Sequence, residues 1–392
     1  MSSPMPNQHL GLEQHPTISI YEVGGSVRDA LLGVPAKDRD WVVVGATPEQ
    51  MLALGFKQVG ADFPVFLHPV NHEEYALART ERKQGKGYLG FSVTSTPMVT
   101  LEQDLARRDL TVNAMARSLG GVLIDPFGGV QDLTNRHLRH VTSAFAEDPL
   151  RVLRLARFYA RFASLGFEVN DETLLLCQEL VVKEELQELS PERIWVESER
   201  GLMEEQGGQY AYLVQKVGAQ PLIFPDTTCA HHSTFPLLTL MCQWQGEITL
   251  RLAAWIGDVL PDQEPVAPLI TRMGRYMRMP GRIQKELVWL LESLPHALFV
   301  SRHAPEKLLP VLNGLKGGLQ QPRSSQLLSL CALHSEVFGW PNPTVGIKKA
   351  MKIWQSVKPQ AIMADGYKGA DIGMALGRQR LAKLRQQWPE LW

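Results

Sequence analysis

Between Gly24 and Asp40, seventeen residues carry two adjacent glycines, an Arg28-Asp29 pair and two aspartates one residue apart, with apolar stretches on both sides. Few folds accommodate that order. The alternation over Ile18–Val23 predicts a strand, Ser26–Leu32 a short helix closing at Gly33, and Trp41–Val44 a strand buried on both faces. A strand that runs through Gly24-Gly25 into a helix lets backbone approach an anion closely. Ser26 is placed to cap that helix, whose free N–H groups and dipole favour phosphate, and Arg28 in its first turn can grip one. Alone, such a turn is more often only a tight turn.

The second half of the stretch, Lys37-Asp38-Arg39-Asp40, runs straight into Trp41-Val42-Val43-Val44. If the strand begins at Asp38, the two carboxylates share one face, about 6–7 Å apart along the backbone. They can then converge on a metal pair of the kind that activates an attacking hydroxyl and steadies a leaving oxygen. Hard oxygen ligands and a phosphate substrate indicate Mg²⁺. An isolated Asp-x-Asp would be no more than a charged strand start.

Further along, Pro48–Ala53 predicts a helix and Glu74–Arg79 a strand, so the first 135 or so residues read as a mixed α/β head. From Asp148 the period changes. Val152, Leu155, Ala156, Tyr159 and Ala163 follow helical spacing, Asp148-Pro149 makes an ordinary N-cap and first helical residue, and Ser190-Pro191-Glu192 starts a later helix. Arg151, Arg154, Arg157 and Arg161 fall on the opposite side of the first of these helices, and an unpaired arginine row needs an anionic neighbour. The length of 392 residues favours several domains. Candidate linkers lie at Pro261–Pro268 and Gly339–Pro343.

Net charge is −1, but its distribution is uneven: Val345–Arg385 holds nine Lys/Arg against two acidic residues, while Glu179–Glu205 holds nine Glu against three Lys/Arg. The basic tail is the footprint a polyanion would seek. No apolar run approaches the roughly 18 residues of a membrane span. The first sixteen residues lack a secretory pattern, and Cys177, Cys229, Cys242 and Cys331 lie too far apart for metal spacing, so the expected compartment is the cytoplasm.

Taken together, Gly24-Gly25-x-x-Arg28-Asp29, Leu31-Leu32-Gly33 and Lys37-Asp38-x-Asp40 resemble the catalytic head of class II CCA-adding tRNA nucleotidyltransferases and bacterial poly(A) polymerases, in the DNA polymerase β superfamily. The likeness continues through Tyr75–Glu81, Arg107–Ala114, Ile124–Gly129 and Glu147–Arg154. It implies an α+β fold: a polymerase-β-like mixed sheet at 17–140 after a polar extension at 1–16, a helical neck at 141–225, and a helical body and tail at 226–392. It implies that Asp38 and Asp40 are catalytic and bind Mg²⁺, and that Gly25, Arg28, Arg154 and Arg157 bind the nucleotide. Arg108 and Asp109 would select ribose, and Asp148 and Arg151 would read the base edge in place of a template. Glu81 is a weak candidate for a third carboxylate.

The implied reaction is addition of C, C and A to the 3′ end of tRNA from CTP and ATP, with no membrane and no obligate protein partner. Arg82–Tyr88 corresponds to a flexible loop that relatives need for the switch from C to A. Poly(A) polymerase is the sister alternative, and a catalytically inactive RNA-binding protein the alternative from another class. Close relatives carry a C-terminal HD phosphohydrolase domain, but Gly257-Asp258 stands where its His-Asp pair belongs, so that region is expected to be degenerate. His231, His232 and His296 are the remaining histidines that could rebuild such a site, and Lys348, Lys349 and Lys352 in the basic tail are candidate tRNA contacts.

Overall fold

The structure, a computed structural model, describes residues 9–35, 38–59, 65–83, 91–226, 234–259, 265–300, 304–315 and 321–388, with the side chains of 81–83 and 91–93 outside that description. Contacts divide the chain into two compact units, Met1–Ile194 with Lys216–Ala219, and Trp195–Gln215 with Gln220–Trp392.

In the first unit, strands β1 (Ser19–Val23), β2 (Asp40–Val44), β3 (Lys57–Val59), β4 (Val65–Leu67), β5 (Glu74–Leu77), β8 (Ala116–Ser118) and β9 (Leu123–Ile124) form one sheet in the order β3-β4-β5-β2-β1-β8-β9. The β2–β5 pair is parallel and the rest are antiparallel, giving the expected mixed sheet. Two small pairings, β6 (Thr80–Lys83) with β7 (Phe91–Thr94) and β10 (His137–Leu138) with β11 (Glu168–Val169), lie outside it. Period-two alternation explains the apolar run of β2: Trp41 and Val43 join Ile20, Phe66 and Tyr75 on one face, while Val42 joins Val23, Leu105 and Ala116 on the other.

Helices α1 (Gly25–Leu31), α2 (Pro48–Ala53), α3 (Leu101–Ala106) and α4 (Gly129–Asn135) intersperse the strands. Both α2 and α3 start with a capping box, Thr47/Gln50 and Thr100/Gln103. The helical stretch that follows begins with α5 (Arg151–Phe162), α6 (Asp171–Val182) and α7 (Pro191–Met203).

Among the described residues the second unit is helical: it takes α7 from Trp195 onward, α8 (Gly207–Lys216), α9 (Pro236–Gln243), α10 (Ile248–Val259), α11 (Val266–Met277), α12 (Gly281–Leu298), α13 (Leu309–Gly314), α14 (Pro322–Phe338), α15 (Thr344–Ser356), α16 (Pro359–Ala364) and α17 (Ala370–Gln387). Trp255 of α10 is fully buried, edge-on to Tyr210 and Phe224 with ring centroids 6.1 and 4.9 Å away. No helix among the described residues is long and apolar enough to cross a membrane.

Gly257 in α10 has a packing reason: a Cβ there would meet Leu237 Cδ1 at 2.9 Å and His334 Nε2 at 3.5 Å. Any side chain there would require Leu237 to shift. Its neighbour Asp258 accepts from the backbone N–H groups of Leu237 (3.1 Å) and Leu238 (2.9 Å), and so caps the start of α9. Burial, only partly opposed by those two bonds, pushes its carboxyl pKa up to about 6. His231 and His232 lie outside the described residues, and among the described residues no cluster of three or more His, Cys, Asp or Glu could hold a metal.

Because the Asp258 carboxyl is held near 6, above its unfolded value, its favourable contribution is complete below about pH 4 and is lost as pH rises through 6. Asp258→Ala should therefore cost about 0.5–2 kcal/mol near pH 5, with the deficit shrinking towards about pH 7.5. Urea denaturation of both proteins at the two pH values measures it.

Candidate active site

Sheet register builds the site. Val23, the last residue of β1, pairs with Asp40, the first of β2, and also with Ala116 at the start of β8. One end of the sheet therefore brings together the glycine turn that follows Val23, the Asp40 carboxylate and the segment that precedes β8. The Gly24 N–H donates to Met115 O (3.2 Å), which ties the turn to that segment. Asp40 also pairs with Glu74 of β5.

Above this edge opens a cavity of about 600 Å³, lined by Gly24, Gly25, Asp40, Glu74, Asn113, Asp109 and Asp148 together with nine arginines, from α1, the α3 end and α5 among others. Nine guanidinium groups against four carboxylates make it a receptor for a multiply charged anion, and its size suits a nucleotide. Like charges at this density require internal partners. Arg154 donates through Nε (2.9 Å) and Nη2 (2.7 Å) to Asp109 Oδ2, while Asp109 Oδ1 accepts from Leu110 N and Asn113 Nδ2, both at 2.9 Å. Burial alone would raise the Asp109 pKa, but Arg154, the Asn113 hydrogen bond and Arg151 outweigh it and hold the carboxylate ionised, well below its usual range.

Arg28 is only 3% exposed. Its Nε donates to Asp29 Oδ1 (2.8 Å), its Nη1 to Asn113 Oδ1, and its guanidinium lies 5.5 and 5.0 Å from the ring centres of Phe158 and Phe162. Burial lowers its pKa and Asp29 opposes that drift. The other Asp29 oxygen pairs with Arg161 Nη2 (3.0 Å). Asp104, fully buried, holds Arg107 (2.7 Å) and Arg108 (3.3 Å).

Several expectations need correction. The ladder begins at Asp40, because β1 ends at Val23 and turns away; Asp38 precedes the strand, so the shared-face argument for the pair does not hold. Helix α1 begins at Gly25 with Gly24 as N-cap, and the Ser26 hydroxyl donates back to Val23 O (3.3 Å) rather than capping. Asp148 sits two residues before the N-cap: its Oδ1 accepts from Leu150 N (3.2 Å) and its carbonyl from Arg151 N, a tight i→i+3 start that puts Leu150 at the N-cap of α5. The arginine row is not unpaired. Arg154 and Arg161 carry the ion pairs above, Arg151 donates to Ala144 O (2.8 Å) and Arg107 O (2.6 Å), and Arg157 lies 4.5 Å from the Phe158 ring centre.

Gly25, Arg28, Asp40, Arg108, Asp109, Asp148, Arg151, Arg154 and Arg157 all line the one cavity, and Asp38 is near enough for its charge to act on Asp40. Lys37 and most of Arg82–Tyr88 lie outside the described residues, as does the Glu81 side chain. Sequence reasoning missed Arg193 of α7, which donates to Asp148 Oδ2 (2.8 Å), and Asn113, which joins Arg28 to Asp109. Asn113 stood inside the quoted Arg107–Ala114 motif, whereas nothing in the sequence connects Arg193 to a residue 45 positions away.

The acidic pair suits a hard cation. Asp40 is reached by water, yet the cavity walls desolvate it and raise its carboxyl pKa; Arg108 opposes the rise and the Asp38 charge adds to it. Two nearby carboxylates, with no cluster of three or more such ligands among the described residues, match the mode in which a divalent ion keeps waters and substrate phosphates in its shell.

Residues 20–139 match the family model of the poly A polymerase head domain. The chain is 44% identical over 374 residues to the CCA-adding enzyme of Marinobacter nauticus, spanning 93% of this chain and 98% of that enzyme. Among solved structures, apo form II of a CCA-adding enzyme aligns with a TM-score of 0.71 at 22% identity, over 96% of this chain and 89% of that one. The Thermotoga maritima CCA-adding enzyme complexed with tRNA aligns with a TM-score of 0.65 at 22% identity, over the same shares. These two likenesses speak to the fold.

Gly24 has φ 73° and ψ −129°, and a Cβ there would lie 2.8 Å from Arg108 Nη1. Gly24→Ala should cost about 1–3 kcal/mol of stability from backbone strain and displace Arg108, weakening nucleoside triphosphate binding. Thermal denaturation and equilibrium nucleotide binding report the two effects separately.

Proposed function

The chain belongs to the CCA-adding enzyme family, and on that premise we propose that its Asp40-centred cavity adds C, C and A to the 3′ end of tRNA, using CTP and ATP and releasing pyrophosphate. The observation that carries this reading is that one cavity joins Asp40 to the Asp148 and Arg151 pair among nine arginines. A nucleotide there can have its triphosphate neutralised and its base edge read at once.

A divalent cation, proposed to be Mg²⁺ held by Asp38 and Asp40, supplies activation of the 3′-hydroxyl and stabilisation of the departing oxygen when bound. The chain's own residues do the rest. Gly25 N–H and the N-terminal end of α1 face the phosphates, with Arg28, Arg154 and Arg157 balancing their charge. Arg108 and Asp109, which line the same cavity, recognise the sugar in this reading. Asp148 accepts and Arg151 donates. Cytosine and adenine both present an exocyclic amino donor beside a ring-nitrogen acceptor, whereas guanine and uracil present the inverse, so one acceptor–donor pair selects C and A. Arg193 holds Asp148 from behind, and two backbone carbonyls hold Arg151, so the pair is presented in fixed orientation.

Asp38→Ala and Asp40→Ala should each abolish nucleotide addition while leaving tRNA affinity within about twofold, because RNA is held mainly through its phosphates elsewhere. Addition assays on tRNA ending at the discriminator base, beside filter binding, check this; an A tract in place of C, C and A would point to a poly(A) polymerase.

For base choice, Asp148→Ala should lower discrimination of CTP over UTP by about 1–3 kcal/mol, read as a ratio of kcat/KM. A variant that only melts earlier and keeps its preference would reduce Asp148 to the turn-forming role it also has.

A further inference from the structure

We propose that Asn113 is a positioning residue that couples the grip on the triphosphate to recognition of the sugar; the proposal rests on the nucleotidyl-transfer reading above. Asn113 is buried in the single turn Thr111–Asn113, distant in sequence from everything its side chain touches except Asp109. Its Oδ1 accepts from Arg28 Nη1 and its Nδ2 donates to Asp109 Oδ1 at 2.9 Å. Asp109 Oδ2 in turn takes both N–H groups of Arg154. The Asn113 backbone carbonyl accepts from Arg108 Nη1 at 3.4 Å. Three of the arginines around the cavity are therefore referenced to one residue, two of them through its amide.

The chemistry requires an amide. Arg28 can only donate and ionised Asp109 can only accept, so the group between them must accept on one atom and donate on the other, and only one orientation of the amide does both. Alanine supplies neither function. Aspartate has the same shape and supplies the acceptor, but supplies the donor only when protonated. Ionised, it would set a second carboxylate against Asp109, and two carboxylates so placed share a proton. The charged groups facing this position are Arg28 and Asp29 from α1, Arg108 and Asp109 from its own segment, and Arg151 and Arg154 from α5.

The test uses full-length protein carrying Asn113→Ala or Asn113→Asp, assayed with tRNA, CTP, ATP and dCTP. Asn113→Ala is expected to raise the KM for CTP and ATP roughly ten- to hundredfold, the loss of charge-assisted hydrogen bonds, with a smaller fall in kcat. Its preference for CTP over dCTP should narrow about tenfold because Asp109 loses its anchor, while tRNA affinity stays unchanged. Asn113→Asp should match the alanine variant near about pH 8, and its KM relative to wild type should fall as pH is lowered towards about 6; the alanine ratio should stay flat. A wild-type KM and CTP preference in Asn113→Ala would overturn the proposal. So would an Asn113→Asp ratio that ignores pH, or a recovery that merely follows its melting temperature across the same range. If Asn113→Ala does not fold, the pH comparison on the shape-matched Asn113→Asp decides alone. Wild-type protein that adds no C, C and A would instead overturn the functional reading.

Discussion

Nine guanidinium groups around one cavity repel one another, and the first unit is organised to contain that repulsion without cancelling it. Asp29, Asp104 and Asp109 do most of the containing. Each is buried, and each holds two arginines or one arginine bidentately. Removing one partner of such a pair leaves an uncompensated charge in a poor solvent, a loss of about 3–5 kcal/mol, so these carboxylates are as necessary to the fold as to the site. The surplus positive charge that remains faces the cavity, where a polyanionic ligand would complete the balance.

This arrangement depends on register. Pairing Val23 with Asp40 ends the β1–β2 ladder where Gly24 turns away, which leaves Asp40 at the end of a central strand, on the face of Val42 and Val23, rather than under the core. A slip of one residue would carry Asp40 to the Trp41 and Tyr75 face, against the packed aromatic cluster. The register of β2 therefore sets where the Asp40 carboxylate lies.

The second unit shows a carboxylate used in another way. Asp258 has Gly257 rather than a histidine beside it, at a point where α10 packs closely on Leu237 and His334. Its oxygens instead satisfy two free N–H groups at the start of α9. A residue that resembles half of a metal-binding pair works here as a helix cap, and the same burial that stabilises the packing raises its pKa.

Local pattern was sufficient for most of the elements themselves, and for picking out residues that the fold gathers around one cavity. The strands around Gly24 and Asp40, the helix after Asp148 and the start of α7 at Pro191 were legible because alternation, helical spacing and Pro placement act over a few residues. Order of motifs along the chain sufficed for the family. Tertiary structure alone decided the partners. Arg161 with Asp29, Arg154 with Asp109, Arg193 with Asp148 and Arg28 with Asn113 are joined across 45 to 132 positions, and no periodicity encodes such distances. It also moved boundaries by one or two residues, at Asp38, Ser26 and Asp148, because hydrogen-bond partners on neighbouring segments, not the residue's own preference, determine where a ladder or a helix begins. A row of arginines on one helix face announces that negative charge must lie opposite; only the fold determines how much of it the protein provides and how much is left for the substrate.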